Sequence, residues 1–294
     1  MNNIKPESKS VNANQSLETQ VKNWAHGFLH SPASYDGKRA EDIIKADVEE
    51  SKAIFARELP KRKANDSLKI FRTKDELDLQ YWFVEKPTNK KVKILLHGSG
   101  SNFAKGARAV ALLDRGFNVA MISYRGHSGN PGKADQKTII HDVIAAIHEI
   151  MNLGYKMEDT YLEGSSLGTS IFAHALKRIY QDTESAERFA SLILKAAPLN
   201  LNERDKDTVD SLKAAGINEK RAEPYLKKLW NQEDAYSKIF AQEIKIVHGT
   251  KDTVVPVEHA QRIKDILDRN NSNVSLHIIN GEGHQLDLNQ YGIY

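Results

Sequence analysis

From Lys91 onward, short apolar runs alternate with segments of helical periodicity, and few architectures accept that pattern. The runs are KVKILLHG, FNVAMISY, TYLEG, SLILKAAP, IKIVHG and SLHIIN. Between them lie segments such as TIIHDVIAAIHEIM, and after TYLEG the residues Ile171, Phe172, Ala175, Leu176 and Ile179 recur at helical spacing. Such alternation predicts a mostly parallel sheet with helices on both faces. In sheets of that kind functional residues collect beyond the carboxyl ends of the strands.

The chain before Lys91 has a different character. SLKIFRT and LDLQYWFVEK, separated by KDE, read as an antiparallel hairpin. Residues up to about Ser16 read as a polar tail. Leu17, Val21, Trp24, Ala25, Phe28 and Leu29 trace a helical stripe. That stripe has two readings: docking on the protein's own body, or a membrane-surface or partner-binding helix. Lys22 is its only nearby cation, which weakens the lipid reading. A second helical segment runs from Lys38 toward Leu59 and is expected to stop at Pro60. The expected division is a polar tail and helical extension over 1–66, then an α/β domain over 67–294. Within that domain, 200–242 carries charged helical segments with Leu212, Ile217, Tyr225, Leu226, Leu229 and Trp230, and no strand. We expect a small helical cap there, the alternative being a long crossover.

The stretch EGSSLGTS lies between a strand and a helix and matches G-x-S-x-G, with Gly164 and Gly168 framing Ser166. In that pattern a strained turn lifts a nucleophilic hydroxyl clear of the sheet, and Ser165 is only the spacer. Gly-Ser turns are common, so the elbow needs a base and an acid to orient it. Two later strand ends supply both. IKIVHGTKDTVVP presents Asp252 and SLHIINGEGHQLDL presents His284, giving the chain order Ser, Asp, His. Glu282 is a rival acid. His127 is a candidate for the cleft lining, whereas His141, His148 and His174 sit in helical segments as structural residues.

Composition removes several other classes. The 294 residues include no cysteine, which excludes disulfides, thiolate metal sites and a thiol nucleophile. A net charge of +3 spread through the chain gives no argument for nucleic acid. The N-terminus lacks the apolar core of a signal peptide, and no apolar run is long enough to span a bilayer. A cytoplasmic enzyme is the default expectation, with peripheral membrane contact left open. HGSGSNFAKG departs from both phosphate-loop patterns, so no nucleotide is expected.

With these motifs in place, the sequence resembles the α/β-hydrolase superfamily from about Phe71 to the C-terminus. It is similar to cofactor-free serine hydrolases with a small cap, of the dienelactone-hydrolase-like and protein-depalmitoylating branches. ILLHGSGSN matches the family's oxyanion loop, ISYRGHSGNPG its next strand and loop, GTKDTVVP the acid turn and GEGH the histidine turn. The resemblance implies acyl transfer, with Ser166 as nucleophile, His284 as base and Asp252 orienting the base. Leu167, the residue after the nucleophile, supplies one oxyanion N–H. Ser99 is the family-matched second donor, with Gly100 as the alternative. The implied substrate is a small or acylated carboxylic ester or thioester, and no cofactor is needed. A peptidase or amidase remains the alternative, and a non-catalytic binding protein is the reading from outside enzymology.

Overall fold

The computed structural model describes residues 16–21, 40–99, 101–182, 187–199, 212–213, 215–228 and 230–294. Its strands are β1 (Asn65–Arg72), β2 (Asp78–Glu85), β3 (Lys91–Leu96), β4 (Phe117–Ile122), β5 (Thr160–Ser165), β6 (Ser191–Lys195), β7 (Ile244–Gly249) and β8 (Val274–Ile279). They form one eight-stranded sheet in the order β1-β2-β4-β3-β5-β6-β7-β8. β2 is antiparallel to both of its neighbours, and every other pairing is parallel. β4 is buried at every position, as a parallel strand covered on both faces must be.

Seven helices are used below: α1 (Ala40–Arg62), α2 (Gly106–Leu113), α3 (Gln136–Asn152), α4 (Leu167–Asp182), α5 (Glu219–Lys228), α6 (Gln232–Tyr236) and α7 (Glu258–Leu267). The larger core lies under α3, α4, α6 and α7, with Ile147, Phe172, Leu176, Tyr236 and Ile263 packed on one face of the sheet. α1 and α2 cover the other face, where Phe55 meets Trp82 edge-on at 4.9 Å between ring centroids. α3 starts at a capping box, Asp135 accepting from the Thr138 N–H at 2.8 Å and Thr138 Oγ1 accepting from the Asp135 N–H at 3.0 Å.

The helix expected to end at Pro60 continues to Arg62. Proline removes one donor and crowds the carbonyl one turn back, and here only Lys61 and Arg62 follow it in the helix. Arg62 fixes that turn by bonding Glu58 at 2.8 Å and Asp114 at 2.8 Å, while Leu59 is buried. Of the N-terminal stripe, Leu17 and Val21 pack with Leu212, Ile217, Ala222 and Tyr225, so this part docks on the protein's own body. Trp24, Ala25, Phe28 and Leu29 lie outside the described residues, as does 200–211 of the expected cap. The described remainder of 200–242 is helical at α5 and α6 and holds no strand. Trp230, Ala235 and Tyr236 from this stretch belong to the larger core.

Arg125 follows β4 and joins three parts of the chain. Its guanidinium bonds Asp142 of α3 at 2.6 Å and Asp75 of the β1–β2 turn at 2.7 Å. Asp142 is wholly buried, whereas the Asp75 side chain is 57% exposed. Removing the guanidinium strands a buried carboxylate, so Arg125→Ala is expected to cost about 3–5 kcal/mol in urea unfolding. Asp75→Ala breaks a solvated contact and should cost under about 1 kcal/mol.

Candidate active site

The sheet order reverses at β3, which has β4 on one side and β5 on the other. Loops leaving the carboxyl ends of β3 and β5 therefore run to opposite sides, the kind of switch point at which open α/β sheets bind ligands. Ser99 follows β3 there, and Ser166 follows β5.

Ser166 sits at φ 51°, the left-handed region that a residue with a Cβ rarely adopts. Its neighbours hold it in that state: its N–H donates to Lys195 O at 2.9 Å, and its carbonyl accepts from the Thr169 N–H at 3.0 Å. Thr169 Oγ1 donates to the same carbonyl at 2.6 Å. The chain then enters α4 at Leu167, whose early N–H groups have no acceptor within the helix. Gly168 explains the tight junction. A Cβ on it would stand 2.5 Å from Leu96 O, so only glycine lets the first turn of α4 touch β3. At Gly98 an added Cβ would be 3.1 Å from Ser166 Cβ, which brings the loop bearing Ser99 against the elbow. Gly100 lies outside the described residues.

His97, at the end of β3, is a rivet for this loop. Nδ1 donates to Gly98 O at 2.8 Å, and Nε2 meets Ser123 Oγ at 3.0 Å. Burial pushes its imidazole well below the usual histidine range, so the ring stays neutral. His127 packs on the rings of His97 and Tyr124, at 5.6 and 4.8 Å between centroids. His174 meets Trp230 edge-on, and His148 is exposed on α3.

The acid and histidine turns are joined backbone to backbone. A Cβ at Gly249 would lie 2.3 Å from Glu282 O, so the end of β7 approaches the loop after β8 more closely than any side chain would allow. Lys251 N–H then donates to Glu282 O at 2.7 Å. This pairing carries Asp252 to His284, whose Nδ1 donates to Asp252 Oδ2 at 2.8 Å. Asp252 Oδ1 accepts from the Val254 and Val255 N–H groups, each at 2.8 Å. His248 Nε2 lies 3.2 Å from Oδ2. Burial opposes the charge on Asp252, but the bonds from His248, His284 and Val255 outweigh it and hold its carboxyl below the usual carboxylate range. Glu282, the rival acid, instead accepts from the Tyr291 hydroxyl.

Among the described residues no hydrogen bond joins Ser166 Oγ to His284. Such contacts tighten in many hydrolases only when substrate is bound. His248 is the contributor that the sequence reading passed over. Its signal was its place four residues before Asp252 in HGTKD.

Strand order, elbow and loop pairing together define an α/β-hydrolase. Within that superfamily the chain belongs to the prolyl oligopeptidase family, whose model matches residues 103–294. Protein YfhR of Escherichia coli is 23% identical over 200 residues, 66% of this chain and 65% of that protein. The esterase Pf2001 of Pyrococcus furiosus superposes with a TM-score of 0.60 at 19% identity, covering 79% of this chain and 88% of the esterase. The acylaminoacyl peptidase of Pyrococcus horikoshii gives a TM-score of 0.59 at 17% identity, over 76% of this chain and 38% of the peptidase. No helix among the described residues is long and apolar enough to cross a membrane.

Proposed function

We propose that the protein is a serine hydrolase that cleaves carboxylic esters or thioesters through an acyl-enzyme on Ser166. The observation that carries this reading is the buried Asp252 carboxylate bonded to His284 Nδ1 at 2.8 Å, on loops that follow strands of the same sheet as the Ser166 elbow. With Nδ1–H committed to Asp252, Nε2 is the nitrogen left to take the serine proton. Ser166 Oγ then attacks the substrate carbonyl. The N–H groups of Leu167 and Ser99 receive the oxyanion, where one lost donor typically costs about 3 kcal/mol. His284 returns the proton to the leaving group, and water attacks the acyl-enzyme with His284 again as base. Asp252, held below the usual carboxylate range, stays ionised and keeps its hold on the base, and kcat/KM is expected to fall toward acid pH as in general-base catalysis.

A second reading, a peptidase on the same residues, is favoured by the family match. The ester reading draws on the esterase Pf2001, nearly all of which this chain covers. Selectivity does not follow from the apolar residues of 200–242 alone, because packing already occupies some of them. Leu212 is buried with Val21, Tyr225 packs against that cluster, and Trp230 belongs to the larger core.

A kinetic panel of matched esters, thioesters and amides of increasing acyl length tests both readings. We expect kcat/KM to be highest for esters or thioesters and to rise about fourfold per methylene until a short to medium chain fills the site. Best turnover of a peptide amide would replace the ester reading with the peptidase one.

A further inference from the structure

His248 lies within β7, and its side chain is wholly buried. Nε2 is 2.9 Å from Val255 O and 3.2 Å from Asp252 Oδ2. Both neighbours are acceptors, so Nε2 carries a proton and donates. The other ring nitrogen, Nδ1, has no hydrogen-bond partner. Leaving a buried nitrogen unsatisfied costs stability, and an apolar ring of the same shape would avoid that cost. Apolar packing therefore does not account for a histidine here, and its one donated proton lies between the Val255 carbonyl and the Asp252 carboxylate.

Contact with Asp252 accounts for it. We propose that His248 is a positioning residue for the reaction: its Nε2–H shares the carboxylate oxygen that holds His284 and sets how strongly that oxygen grips the base. The inference rests on the Ser166–Asp252–His284 reading above. The groups facing Asp252 are His248 from β7, the Val254 and Val255 amides from its own loop, and His284 from the loop after β8. Among the described residues no lysine or arginine pairs with it, so the two imidazoles are the side-chain donors to its charge.

Two donors on one oxygen each draw on the same negative charge. Without His248 that charge concentrates on His284 and favours its protonated form. The acid limb of kcat/KM then moves to higher pH.

The test is the pH profile of ester hydrolysis, with p-nitrophenyl butyrate, for the full chain and for His248→Phe, His248→Leu and His248→Gln. Phenylalanine and leucine remove the donor, and glutamine returns an N–H at a similar reach. We expect the limb to move up by about one pH unit in the first two, an approximately tenfold loss on the acid side with a smaller change on the plateau. Glutamine should bring it back toward the wild-type position. Thermal unfolding should show the Phe and Leu variants still folded, with a modest loss because the Val255 carbonyl is left without its donor.

An unmoved limb in Phe and Leu overturns the proposal. So does an equal shift in all three variants, or unfolding of both apolar ones, since either assigns His248 a packing role. Failure of the underlying triad shows separately, as wild-type protein that a fluorophosphonate does not label or as undiminished turnover in Asp252→Asn.

Discussion

Ser166→Ala is expected to lower ester turnover by about a million-fold and to abolish labelling by a fluorophosphonate, while Ser165→Ala keeps most of both. The two serines are neighbours, and the backbone separates them. Ser165 is the last residue of β5 and pairs in register with Lys195, so its side chain obeys the alternation of the sheet. Ser166 has left the strand at φ 51° and touches the loop after β3. On the proposed reading, it is the hydroxyl at that turn that meets the substrate carbonyl near the start of α4. Loss of the hydroxyl removes the covalent route and leaves whatever the oxyanion donors supply by themselves. Labelling that survives in Ser166→Ala and vanishes in Ser165→Ala would move the nucleophile by one residue.

Asp252→Asn is expected to reduce turnover by about ten-thousand-fold with little loss of fold stability. The change is nearly isosteric, and the amide oxygen can still accept from Val254 and Val255. What it loses is a charge-bearing acceptor for His284 Nδ1. An amide NH₂ turned toward the ring would bond the wrong tautomer, placing the imidazole proton on the nitrogen that must take one from serine. Thermal unfolding separates this outcome from misfolding, and steady-state kinetics reads the loss. Turnover within a few-fold of the parent would point to Glu282, which stands two residues from His284 and bonds Tyr291 instead.

Much of the fold was legible in the sequence because it rests on local patterns. Helix–strand alternation carried the parallel sheet, and the KDE break carried the hairpin that became β1 and β2. Pro60 misled because a proline's effect depends on how much helix follows it, and the contacts that hold the last turn, Arg62 with Glu58 and Asp114, include a partner far along the chain. The apolar residues of 200–242 pose the same problem. Hydrophobicity says that a side chain will be buried, and it does not say against what. Trp230 went to the core beside His174, and Leu212 to Val21.

By itself the sequence determined the class of fold and the strained elbow, and it named the candidates proposed as nucleophile, acid and base. These follow from spacing, from glycine and from the chemistry of side chains a few residues apart. Only the tertiary structure decided their company. Asp252 and His284 are 32 residues apart in the chain, and they meet because Gly249 lets one loop lie on the backbone of the next. That same approach leaves Asp252 buried, with a second imidazole from β7 on the oxygen that holds the first. Distance, burial and shared hydrogen bonds are properties of that packing, and no local pattern encodes them.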